Sequence, residues 1–131
     1  MIGKFWMGRV LRAIPPVAAF ALCAGAAMAA GTTPAGGDRE GYGYAMKCYV
    51  ANSLTANSFE KRGDAAKAQQ YNANAKRSFD VAWKLGRALG LSDRTINADL
   101  DQTEANELPT MMLVAGRYRD AVARCKALGL M

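Results

Sequence analysis

The sequence predicts an all-α fold: four or five amphipathic helices arranged as αα-hairpins in a small bundle, fastened by one disulfide. Three observations carry this expectation. Apolar residues recur at spacings of three and four from about Arg39 to the end of the chain. No stretch of useful length alternates apolar and polar residues as a half-buried strand does. Two cysteines, Cys48 and Cys125, remain once the first 29 residues are set aside.

Those first residues, 1–29, read as a cleaved signal peptide. Lys4, Arg9 and Arg12 with no acid form a positive start, Val17 to Ala30 (VAAFALCAGAAMAA) is an apolar run, and Ala27-Met28-Ala29 offers small residues at a cleavage site after Ala29. The alternative is an uncleaved anchor, but Ile14 to Ala30 spans only 17 residues, opens on Pro15-Pro16 and is mostly Ala, which is short for a bilayer span. No stable membrane span is expected after cleavage. Cys23 follows Leu22, whereas a lipidated cysteine follows a small residue, so lipidation is not expected. Cleavage lowers the formal charge from +6 to +3 over 102 residues, a small and mildly basic domain able to bury about two-thirds of its surface. The expected location is the periplasm or the exterior.

Residues 30–38 contain GTTPAGG, which has no periodicity and reads as a disordered leader; residues 39–131 read as the helical domain. A first helix over about 39–62 places Tyr42, Ala45, Met46, Tyr49, Val50, Ser53, Leu54 and Phe59 on one face, with Cys48 at its margin. Gly63-Asp64 breaks the run, Gly at the helix end and Asp as the next N-cap. A second helix over about 65–89 carries Ala68, Tyr71, Ala75, Phe79, Ala82, Trp83 and Leu89 in one stripe, and the short break favours an antiparallel hairpin. Gly90-Leu91-Ser92 reads as a stop and a restart. A third, mostly polar helix over about 93–106 shows Ile96, Leu100 and Thr103 on one side and belongs at the surface. Pro109 ends it or opens the next helix, whose stripe is Met111, Val114, Ala115, Tyr118, Ala121, Val122, Cys125 and Leu128, with Gly116 a candidate kink.

In an exported domain of this size Cys48 and Cys125 are expected to pair, the alternative being two buried thiols. The closed loop of about 76 residues makes that bond worth about 4 kcal/mol. Near-identical segments, Arg87-Ala88-Leu89-Gly90-Leu91 and Lys126-Ala127-Leu128-Gly129-Leu130, lie 39 positions apart. A duplicated hairpin would produce this echo, and so would two helices that end in the same way.

Gly63-Asp64-Ala65-Ala66-Lys67-Ala68 followed by Tyr71 and Ala75 resembles the turn and second helix of a tetratricopeptide repeat, and Gly116-Arg117-Tyr118-Arg119-Asp120-Ala121 is similar to the same turn. The resemblance covers about 15 residues at each place and lacks the family's Trp-Leu-Gly-Tyr set and closing proline. It implies an αα-hairpin. The segment after residue 29 also resembles small exported helical proteins of Gram-negative bacteria with a cysteine near the first helix and a Cys-x-x-Leu-Gly-Leu ending, here Cys125 to Leu130. That resemblance implies export and a disulfide, and no chemistry.

Histidine is absent, which excludes His-based acid–base catalysis and His-ligated zinc or haem. There is no Cys-x-x-Cys and no Gly-x-Ser-x-Gly. The acidic run Asn97, Asp99, Asp101, Thr103, Glu104, Glu107 has Gln102 and Leu108 where a calcium loop needs Gly and Glu, and residues two apart on a helix diverge by about 200°. No metal site and no cofactor are expected. The candidate partner contacts are Tyr42 and Tyr44, in a Gly-Tyr-Gly-Tyr at the expected helix entrance whose equal alternative is a hydrophobic staple fixing the entry of the chain, and Lys84, Arg87, Arg117 and Arg119 among the basic residues of the second and fourth helices. They point to a non-catalytic binding module, adaptor or inhibitor acting on an envelope protein or an anionic envelope polymer, with nucleic acid excluded by location. The competing reading is an envelope enzyme or ligand carrier that uses carboxylates lining one cleft or an internal apolar pocket.

Overall fold

A computed structural model of the chain describes residues 35–131. The expected signal peptide, Cys23 and the leader up to Pro34 lie outside the described residues. Within them the chain is four helices: α1 (Ala35–Lys61), α2 (Ala65–Ala88), α3 (Asp93–Leu113) and α4 (Ala115–Ala127). There is no strand among the described residues.

Helix α1 is the centre of the bundle. The other three helices all pack on it, so its burial is wider than a single stripe: Ala45, Met46, Cys48, Val50, Ala51, Asn52, Thr55 and Ala56 are all buried. Cys48, expected at the margin, is 1% exposed. The helix also begins before the expected Arg39, because Ala35 to Asp38 are helical and Asp38 places a negative charge in the first turn. This start puts Gly41-Tyr42-Gly43-Tyr44 inside the helix rather than at its entrance.

Partner positions fix the directions of the helices. Tyr42 meets Asp99, Met46 meets Thr103 and Lys47 meets Glu107, so α3 runs parallel to α1. Cys48 is bonded to Cys125, while Thr55 shares a hydrogen bond with Tyr118, so α4 runs antiparallel to α1. Helix α2 folds back on α1 as the expected hairpin, burying its small residues Ala68, Ala75, Ser78, Ala82 and Gly86. A Cβ on Gly86 would lie 2.8 Å from both Ile96 Cδ1 and Tyr42 Cε2, so this position admits only a hydrogen.

Three helix ends share one hydrogen-bond pattern. Asp64 N–H donates to the Phe59 carbonyl at 3.0 Å, Leu91 N–H to Gly86 at 3.0 Å and Leu130 N–H to Cys125 at 2.8 Å. In each case the residue before the donor is a glycine at positive φ: Gly63 (78°), Gly90 (78°) and Gly129 (69°). Residues 87–91 and 126–130 therefore share one helix ending, which α1 also uses with unrelated residues. Asp64 and Ser92 cap α2 and α3, accepting from Lys67 N–H and Thr95 N–H, each at 3.1 Å.

The expected boundary near Pro109 is wrong. Helix α3 continues past Asn106 to Leu113 with Pro109 inside it. Proline removes one backbone donor, and Thr110 supports the turn by donating its hydroxyl to the Asn106 carbonyl at 2.9 Å. The break falls at Val114, whose φ of −118° and ψ of 97° are extended, and not at Gly116. The expected last-helix stripe is thus divided between two helices. Met111 and Cys125 are buried, whereas Val114 and Leu128 are 50% and 51% exposed. Gly116 to Ala121, similar in sequence to a repeat turn, lies within α4.

Asn52 joins the core to the C-terminus. It is fully buried, and its Nδ2 donates to the Cys48 carbonyl at 2.9 Å and the Leu130 carbonyl at 2.8 Å, with Ser78 Oγ beside it at 3.4 Å. Leu130 is pinned against α1 by this bond and by burial of its side chain.

Candidate functional site

The antiparallel course of α4 along α1 leaves a groove over the Cys48–Cys125 bond. Each helix contributes through residues three or four apart, which share a face. Helix α1 supplies Tyr44, Lys47 and Cys48; α3 supplies Glu107 and Met111; α4 supplies Arg117, Asp120, Ala121, Arg124 and Cys125. The hollow they enclose is about 200 Å³. It continues toward the start of α1, where Glu40, Ala123 and Leu128 join the lining and Tyr44, Asp120 and Arg124 line both parts.

Tyr44 and Arg124 mark the middle. The Arg124 guanidinium carbon lies 4.2 Å from the centre of the Tyr44 ring, a cation–π contact worth about 0.5–1 kcal/mol at an open site. Beside it Lys47 Nζ pairs with Glu107 Oε1 at 3.0 Å, with the lysine about half exposed, so this pair adds little stability. The disulfide sets the register, holding the Cα atoms of residues 48 and 125 at 5.5 Å and thereby the residues flanking them on both helices. Across the whole groove Lys47, Arg117 and Arg124 face Glu40, Glu107 and Asp120, an equal number of each sign. An aromatic ring, mobile charges of both signs and a partly apolar floor can hold a peptide segment by shape and by complementary pairs.

The candidate contacts separate on this frame. Tyr44 and Arg117 are in the groove. Arg119 is exposed on α4 outside it. Lys84 and Arg87 belong to another surface with Phe79, Trp83 and Asn97, where Arg87 pairs with Asp93 at 3.0 Å and lies 5.7 Å from the Trp83 ring centre. Tyr42 is a correction. It is 7% exposed, its ring packs against Gly86, and its hydroxyl donates to Asp99 Oδ2 at 2.9 Å, so it is a core residue and not an exposed contact at a helix entrance. Burial, with the hydrogen bond to Asp99 and the charge of that carboxylate, holds the Tyr42 hydroxyl well above the usual phenol range.

Lys47, Glu107, Asp120 and Arg124 are site residues that the candidate contacts omit. A signal for two of the groove residues was present. Tyr44 precedes Cys48 by one turn and Arg124 precedes Cys125 by one residue, so the cysteine pairing alone brings them to one place. Among the described residues no three His, Cys, Asp or Glu side chains converge as metal ligands, and no helix is long and apolar enough to cross a membrane. No protein-family model, no curated protein and no solved structure matches the chain.

Proposed function

We propose that the protein is an exported, non-catalytic binding module that holds a segment of an envelope protein in the groove between α1 and α4. The observation that carries this reading is the Tyr44–Arg124 contact over the disulfide, set among charges of both signs. Balanced charge favours a protein segment over an anionic polymer, which would meet Glu40, Glu107 and Asp120 as repulsion. The lack of histidine, and of a serine, threonine or free cysteine in the groove lining, supports binding rather than turnover. Glu107 and Asp120 line one hollow, which supports the competing carboxylate reading to that extent.

Two experiments test the proposal. Intact mass of the protein taken from its host's envelope should show loss of residues 1–29 and thiols that alkylate only after reduction; a full-length chain with free thiols would remove export. A photo-crosslinking residue at Ala123, which lines the continuation of the groove toward the start of α1, should capture one recurrent envelope protein, and Tyr44→Ala with Arg124→Glu should abolish the adduct. The same probe at the exposed Gln69 on α2 should capture nothing recurrent. Equal capture from both positions, or capture indifferent to the double variant, would refute the groove as the site.

A further inference from the structure

A second surface lies at the end of the bundle where α1 turns into α2 and α3 breaks into α4. Met112, Leu113 and Val114 are 65%, 83% and 50% exposed, three consecutive apolar side chains at the end of α3 and on the extended residue that follows it. Met112 continues into a hollow lined by Phe59, Tyr71, Tyr118 and Arg62. There the Phe59 and Tyr71 rings stack at 5.5 Å, with Arg62 and Lys67 lying 4.6 Å and 5.2 Å from the Phe59 ring centre. Arg62 and Lys67 stand against this hollow, Lys61 ends α1 beside them and Arg119 follows Tyr118, against Glu60 and Asp64, of which Asp64 pairs with Lys67 at 3.6 Å.

We propose that this end docks on an anionic phospholipid surface, with Leu113 and its neighbours entering the headgroup boundary and the surrounding cations facing lipid phosphates. A two-fold contact between copies would bring the cations against themselves, which disfavours a homodimer through this ridge. An anionic bilayer meets both features at once, since binding there combines apolar insertion with electrostatic attraction.

The test uses the full chain, vesicles of phosphatidylglycerol and phosphatidylethanolamine, and vesicles of phosphatidylcholine alone. Binding to the anionic vesicles should exceed binding to the neutral ones and fall as salt is raised. Leu113→Asp, at a solvent-exposed position, should lower it about tenfold. Leu113→Trp should strengthen it and shift its fluorescence to the blue only with anionic vesicles. Indifference to lipid charge, equal binding by Leu113→Asp, or no shift in Leu113→Trp would overturn the proposal. So would a dimer in sedimentation velocity that Leu113→Asp dissolves, because the ridge would then belong to a second copy.

Discussion

Gly86 and Tyr42 show how closely α1, α2 and α3 approach, and both yield measurable consequences. Gly86→Ala would place a methyl 2.8 Å from Ile96 and Tyr42, forcing the helices apart at a cost of about 1–3 kcal/mol. The gain in helix propensity returns about 1 kcal/mol, so a net loss of about 1 kcal/mol is expected in urea unfolding. A variant as stable as the parent would show that the contact relaxes freely. Tyr42→Phe removes the bond to Asp99 and should cost about 1 kcal/mol near neutral pH. The hydroxyl's affinity for its proton is raised in the folded state, so its share of stability is complete below the unfolded phenol's pKa of about 10 and is lost as pH rises beyond it. Urea midpoints of parent and Tyr42→Phe should therefore converge above about pH 10, and a constant difference would contradict this assignment.

The helices were legible in the sequence wherever their ends carried a chemical signal. Gly63-Asp64 and Gly90-Leu91-Ser92 announce caps, and the α1–α2 hairpin forms where those residues predict it. Boundaries failed where the signal was weaker than the packing. Pro109 reads as a stop, yet α3 continues because Met111 is held in the core between α1 and α4. Asn52 and Thr55 are polar and stand outside the expected apolar face, but α1 is packed by three other helices and keeps only a narrow wet side, so each finds a buried hydrogen-bond partner. The groove was partly legible, through Tyr44 and Arg117, while Tyr42 was misplaced because residues two apart on a helix point in nearly opposite directions. Two substitutions follow from these elements. Pro109→Ala restores a backbone donor at an exposed position of α3 and should raise stability by about 1 kcal/mol or more in thermal unfolding; a loss would mean that the proline sets a bend the core requires. Asn52→Ala leaves the Leu130 carbonyl with only the long 3.5 Å contact from Ser78 Oγ and should cost about 1–3 kcal/mol. The same variant should free the C-terminus for carboxypeptidase, and a tail as resistant as the parent's would show that the Leu130 side chain alone holds it.

The four helices are held together unequally, and the disulfide compensates for the weakest attachment. Helix α4 has 13 residues, buries only Cys125 completely, and begins without a side-chain cap. Its attachment to α1 rests on the bond at Cys48, the hydrogen bond between Thr55 and Tyr118, and the pinned carbonyl of Leu130. The bond joins residues 77 apart, so in the unfolded chain it closes most of the folded segment into a loop, a constraint worth about 4 kcal/mol. Cys48→Ala with Cys125→Ala should therefore lower the melting temperature by about 20 °C in a domain of this size. Its urea m-value should rise as the unfolded chain exposes more surface. Loss should not be uniform. Helices α1 and α2 retain their long interface, so amides of α4 should exchange faster by more than those of α2. Crosslinking from Ala123 should fail in the same variant, since Tyr44 and Arg124 keep their register through that bond. A double variant that melts within a few degrees of the parent and still crosslinks would mean that packing alone orders α4.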